Sequence, residues 1–244
     1  MRWGQSSSVA THVKVAWQRR ALGDTIGSML PVSLLIALFF LFLPLLAAIL
    51  YFNLITISFT RLSIPGWLTF LLFLASVVGS FINIPIWQSG TVVRPAEIVR
   101  FGRFFVYLRP PQVSTAVVAI NVGGAIVPLL ISILLLPKAP PLRTVVALGV
   151  VTAIAYVLAR PMPDVGIAMN PFIPPLAAAA TALILTAGQN AAPVAYIAGV
   201  WGVLIGADLL HLRELLPSTG VLSIGGAGVY DGIFLVGMIA AFLT

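Results

Sequence analysis

Two acidic side chains, Asp208 and Asp231, interrupt runs that are otherwise apolar, "GVLIGADLLHL" and "SIGGAGVYDGIFLVGMIAAFLT". The other four acids, Asp24, Glu97, Asp164 and Glu214, fall in loops or at interfaces. A carboxylate inside a lipid-embedded helix costs at least about 2.5 kcal/mol at mid-bilayer, and such residues usually mark functional cavities. Two carboxylates forced together in a dry site cannot both ionise, so the pair shares a proton. One can then activate water as general base while the other donates to a peptide carbonyl, which is the chemistry of an aspartyl hydrolase with Asp208 and Asp231 as catalytic residues. The same pair can instead bind a proton or ion in a coupled carrier or channel. In a non-enzymatic membrane scaffold the acids would only hydrogen-bond neighbouring helices.

The residues around the acids extend this candidate site. Gly225, Gly226, Gly228 and Gly232 flank Asp231, and residues without side chains let a substrate backbone or a neighbouring helix approach closely. They are candidate substrate-binding positions, together with Asn83 in "GSFINIPIW" and Asn121 in "AINVGGAIVP". Each asparagine either bonds between helices or lines a polar cavity with the aspartates. Gly199, Gly202 and Gly206 form a second stripe. On an ideal helix Asp208 lies nearly opposite Gly202 and Gly206, so if that stripe packs on the last helix the acid points elsewhere unless the helix unwinds near Gly206. His211 stands one turn after Asp208. Asp208, His211 and Asp231 make a thin metal-ligand set without a further His or Cys, so neither a metal nor a cofactor is expected.

Membrane-spanning helices must position these groups. The chain of 244 residues is 60% hydrophobic and 8% charged, with a mean hydropathy of +1.12. A soluble globule of this size would need far more polar surface to cover itself. The expected fold is therefore an all-α integral membrane protein, a polytopic bundle of about seven helices over approximately 31–52, 66–87, 113–136, 142–159, 171–187, 191–212 and 222–243. Each run suits a bilayer that needs about 20 residues per span, and helix is expected because lipid satisfies no backbone polar group. Cysteine is absent, which excludes disulfides and thiolate chemistry.

Residues 1–30 read as a polar cytoplasmic arm and 31–244 as the transmembrane domain. The run after Arg19-Arg20 is too long for a signal-peptide core and reads as a retained anchor. Cytoplasmic segments would hold ten basic residues against three outside (Arg61, Lys138 and Arg143), which places the N-terminus inside and the C-terminus outside a cell membrane. The net charge of +7 fits loops resting on anionic headgroups. The expected partners are membrane lipids and a membrane-embedded peptide or a small solute or ion, with no nucleic acid. The 89–112 connection, between Pro95 and Pro110, reads as a cytoplasmic amphipathic helix in which Arg100 and Arg103 alternate with Ile98, Phe101, Phe105 and Leu108. Asp208 and Asp231, on consecutive antiparallel spans, both fall toward the cytoplasmic side.

One internal echo is present. "INVGGAIVPLLISILL" from Ile120 resembles "LSIGGAGVYDGIFLVG" from Leu222, with the Gly-Gly-Ala core repeated 102 residues apart. Both would begin inside-to-outside spans, so a repeat would be parallel, a transporter architecture.

The motifs "INIPIW", "INVGGAIVPLLIS", "LIGADLLHL" and "SIGGAGVYDGIFLVGMIA" occur in this order. Over roughly residues 70–244 the chain resembles a family of archaeal and bacterial polytopic membrane proteins classed as a domain of unknown function. That resemblance implies a fold and a membrane location, and no activity. Asp208 and Asp231 also give the chain a weaker similarity to intramembrane aspartyl proteases of the presenilin and prepilin-peptidase type. That similarity implies one catalytic aspartate on each of two successive helices. The chain departs from the pattern where Val229 and Tyr230 separate Gly228 from Asp231, and where no Pro-Ala-Leu element follows the second acid.

Overall fold

Polar residues need not end an apolar helix if their side chains return to its own backbone, and the first helix is built this way. The computed structural model describes residues 6–94, 97–101, 105–109, 112–162, 166–216, 220–226 and 232–244. It divides into two units, Met1–Asn53 and Leu54–Thr244. Helix α1 runs over Ser6–Arg61, nine residues beyond the end expected at 52. In its first part the large apolar side chains from Val32 to Phe52 are exposed, and Asn53 donates to the Ile49 carbonyl at 2.8 Å. In its last part Ser58 and Thr60 donate to Leu54 and Thr56 at 2.7 and 2.6 Å. Each bond satisfies a polar group locally, so the helix continues past residue 52.

The second unit is organised around a buried helix. Its helices are α2 (Gly66–Gly79), α3 (Val127–Leu135), α4 (Pro141–Leu158), α5 (Ile173–Thr186), α6 (Ala191–Val203), α7 (Leu210–Leu215) and α8 (Gly232–Leu243). Nearly every residue of α6 is buried, and it packs against α3, α4, α5 and α8. Small residues make that closeness possible: Ala195 and Ala198 on α6 are fully buried, Gly199 meets Ala178 and Ala240, and Gly202 meets Val151. Small side chains let helix backbones approach closely, and close packing adds dispersion attraction. At the far end of α1, the Lys138 ammonium donates to the carbonyls of Leu62 and Ser63 at 3.0 and 3.1 Å. A cation at that position satisfies the orphan acceptors of the helix C-terminus.

Two helices begin or break at widened, π-type turns. Val122–Ile126 leads into α3, and Leu204–Leu209 joins α6 to α7. Such turns insert one residue into the helical ladder and are frequent at functional sites.

Strands correct the all-α expectation. They are β1 (Asn83–Arg94), β2 (Glu97–Phe101), β3 (Phe105–Arg109), β4 (Gln112–Asn121), β5 (Arg160–Met162), β6 (Gly166–Ala168) and β7 (Gly220–Ile224). The main sheet has the order β1-β4-β7, antiparallel between β1 and β4 and parallel between β4 and β7. The predicted amphipathic helix of the 89–112 connection is instead the antiparallel pair β2–β3, in which Glu97 pairs with Arg109 and Phe101 with Phe105. Pro95, Arg103 and Pro110 lie outside the described residues. The runs "TVVR", "EIVRF", "FVYLR" and "QVSTAVVAIN" are rich in β-branched and aromatic residues, whose stiff side chains suit a pleated surface better than a helix. Likewise the second, third and seventh expected spans contain strand: α2 stops at Gly79, and α3 and α8 follow β4 and β7. Pro85, which has no N–H for the ladder, sits where the β1–β4 register shifts between Pro85 and Trp87, and a bulge is where a strand tolerates proline.

Each of the seven expected apolar stretches contains an apolar helix, but only three among the described residues are long and apolar enough to cross a membrane. These are Val32–Arg61, Pro141–Leu158 and Ala191–Leu215. Gly66–Gly79, Val122–Lys138, Ile173–Thr186 and Ile233–Leu243 are shorter. Lipid-sized side chains such as Val157 and Ile184 are 78% and 79% exposed. Apolar surface on this scale is that of a membrane-associated chain.

Candidate functional site

Where β1, β4 and β7 end, polar side chains gather beside the starts of two helices. Asn121, the last residue of β4, is 2% exposed. Its Oδ1 accepts the Gly124 N–H at 2.8 Å, closing the first turn of the widened segment. Its Nδ2 donates to the Ser80 carbonyl at 2.8 Å and to Oδ1 of Asn83 at 3.1 Å. The same Asn83 oxygen accepts the Ser223 hydroxyl at 2.5 Å. Asn83 is exposed and Ser223 half-buried, so the cluster grades from open surface at Asn83 to full burial at Asn121. The end of α2 is clasped to the same place: Ser76 donates to the Gly123 carbonyl at 2.9 Å, and a side chain at Gly123 would collide with Ser76 and Ser80.

The internal echo takes physical form here. Asn121 and Ser223 hold equivalent positions 102 residues apart, at the ends of the parallel neighbours β4 and β7. Both donate to one oxygen of Asn83. Three residues on, Gly124 N–H bonds to the Asn121 side chain and Gly226 N–H to the Ser223 carbonyl at 3.2 Å. Each unit is thus a strand, a glycine turn and an apolar helix. The two turns touch, since a Cβ at Gly225 would lie 2.7 Å from the Ala125 Cβ and 2.9 Å from its nitrogen. Gly225 has φ +75°, a conformation open to glycine and strained for other residues.

Asp208 joins the cluster from the other side. Its Oδ2 accepts the Gly225 N–H at 2.8 Å, a charge-assisted bond when the acid is ionised. The geometric difficulty in the sequence is resolved in two ways. Gly202 and Gly206 do not face the last helix: they pack on Val151, Thr152, Ala155 and Tyr156 of α4, while Gly199 meets Val236 and Ala240 of α8. The helix also widens over Leu204–Leu209, the turn that carries Asp208. The acid therefore faces away from α4 and toward the glycine turn beyond β7.

Asp208, Asn83, Asn121, Gly225 and Gly226 of the predicted site thus come to one end of the sheet, and Gly232 is the first residue of α8. Asp231 and Gly228 lie outside the described residues. Sequence reasoning missed Ser80 and Ser223. The echo carried a signal for Ser223, because it aligns with Asn121. His211 is 5% exposed, its Nδ1 lies 3.1 Å from the carbonyl oxygens of both Gly206 and Ala207, and its ring stacks on Tyr156 at 4.7 Å. A carboxylate, two amides and a hydroxyl thus gather beside two glycine turns.

A family model described as "Protein of unknown function (DUF1614)" matches residues 77–243. No curated protein and no solved structure matches the chain.

Proposed function

The chain belongs to the DUF1614 family, and on that premise we propose that it is a multi-pass membrane carrier that binds a small solute or ion at the strand-end cluster. Asp208 is the group that takes up and releases the coupled proton or cation. One observation carries this reading: two strand–glycine–helix units lie side by side in parallel, both bonded to Asn83, and an acid on an otherwise apolar helix holds the second glycine turn. Interrupted helices, internal repeats and a buried acid are how carriers form an ion site within the membrane. In this reading the seven apolar helices all embed in lipid. The edges of β1 and β7 expose backbone groups that lipid cannot satisfy, so the sheet and its cluster belong to the water-facing end. Arg213, five residues after Asp208, supports assigning that end to the cytoplasm. Lys138 bonds to the loop after Arg61, which is consistent with both cations lying on the opposite, outer side.

Proton movement into proteoliposomes, read by an internal pH dye while amino acids, organic acids, sugars and metal cations are offered one at a time, tests the proposal. Asp208→Asn keeps an oxygen for the Gly225 N–H but takes up no proton near neutral pH, so it should abolish solute-driven acidification while leaving the fold intact. A signal of equal size in Asp208→Asn, or no solute that gives a signal in the unsubstituted protein, refutes it.

A second reading draws on the same bond. Gly225 begins the segment that leads to Asp231, and its N–H is tethered to Asp208, which favours an acid pair of the hydrolase type. That reading requires Asp231→Ala to lose cleavage of a panel of membrane-embedded peptides that the unsubstituted protein cuts.

A further inference from the structure

We infer that His211 is the positioning residue for Asp208, acting as the hydrogen-bond donor that holds the widened Leu204–Leu209 turn open. The inference rests on Asp208 being the site acid. An inserted residue in a helix displaces carbonyls from their usual i+4 partners, and buried carbonyls left unpaired are costly. Nδ1 of His211 lies 3.1 Å from the carbonyl oxygens of both Gly206 and Ala207. Two carbonyls can only accept, so Nδ1 carries the proton. The ring is buried and stacked against Tyr156 with 26° between the planes, which removes its rotational freedom. On the same turn a side chain at Gly206 would strike the Thr152 carbonyl, so α4, which also carries Tyr156, packs directly against the turn. Loss of the donor lets the turn tighten to an ordinary α-turn. Removing the inserted residue changes the helical phase between the two sides of the turn by about 100°, enough to carry the Asp208 carboxylate off the Gly225 N–H.

Hydrogen exchange of the Gly225 amide in full-length, 15N-glycine-labelled protein in lipid nanodiscs reads that bond directly and needs no transported solute. Asp208→Ala sets the unprotected limit. His211→Leu should speed Gly225 exchange at least about tenfold toward that limit, with the Gly124 amide unchanged because its acceptor is Asn121. Asparagine places an amide nitrogen one bond from Cγ, as Nδ1 is, and glutamine places it one atom further out. His211→Asn should therefore stay within about threefold of the unsubstituted protein, while His211→Gln behaves like His211→Leu. If Gly124 protection also collapses in the leucine variant, the asparagine and glutamine pair decides alone. Unchanged Gly225 exchange in His211→Leu or His211→Gln, or equal loss in the asparagine and glutamine variants, overturns the inference. A failure of solute-driven flux with the exchange pattern intact would remove the carrier reading and leave this one standing.

Discussion

Replacing Gly225 by alanine strikes the strand-end cluster at its tightest point. The residue has φ +75°, which costs an L-amino acid about 1 kcal/mol. The new Cβ would stand 2.7 Å from the Ala125 Cβ, 2.9 Å from its nitrogen and 3.1 Å from its Cα. Two of these three atoms are backbone of a widened turn, so the overlap has no flexible side chain to absorb it, and overpacking of this kind costs roughly 1–3 kcal/mol. Any shift that relieves it lengthens the 2.8 Å bond to Asp208, worth about 1.5 kcal/mol when the acceptor is charged. Together these give about 3.5–5.5 kcal/mol of destabilisation. At about 3 °C per kcal/mol for a chain of this size, the melting temperature should fall by roughly 10–17 °C. The assay is thermal unfolding in detergent monitored by near-ultraviolet circular dichroism. Gly149→Ala is the control, because nothing lies within 4 Å of its Cβ position on α4, and alanine there should be neutral or stabilising by about 0.5–1 kcal/mol. A Gly225→Ala protein that melts within about 2 °C of the Gly149→Ala protein would show that the two glycine turns do not touch as described.

The same contacts predict three further outcomes. Lys138→Met removes the cation from the Leu62 and Ser63 carbonyls and should lower the melting temperature by about 1–3 °C, an effect that shrinks in high salt. Asn83→Ala and Ser223→Ala should be non-additive by at least about 0.5 kcal/mol in a double-mutant cycle, since the Ser223 hydroxyl and Asn83 Oδ1 share one bond; simple additivity would separate them. Gly206→Ala, facing the Thr152 carbonyl, should cost about as much as Gly225→Ala in the same melting assay, and a shift under about 2 °C would exclude the close crossing of the widened turn on α4.

The two parts of the chain were legible to different degrees. Hydropathy located the seven apolar helices among the described residues, because long apolar runs leave a composition that few soluble folds require. Their ends differ from expectation where local bonds extend a helix or where a strand replaces it. The first helix passes the expected end at 52, and Asn53, Ser58 and Thr60 each bond to their own helix. The 83–121 region read as span, amphipathic helix and span, because apolar content was weighed above its β-branched and aromatic residues. In the candidate site, a lone acid in an apolar run marked Asp208, and the glycines and asparagines around it were singled out on the same logic. What joins them was hidden: Asp208 reaches Gly225 only because the helix widens over Leu204–Leu209, and no one-dimensional pattern announces an inserted residue.

By itself, then, the sequence determined the membrane class, the apolar helices and the residue types of the polar cluster, since each is a property of local composition and burial cost. The tertiary structure decided which groups meet. Parallel pairing of β4 with β7, the shared oxygen of Asn83 and the direction of Asp208 all depend on register and helical phase. Those are set by contacts between segments from 17 to 140 residues apart in the chain, where a slip of one residue turns a side chain to the other face.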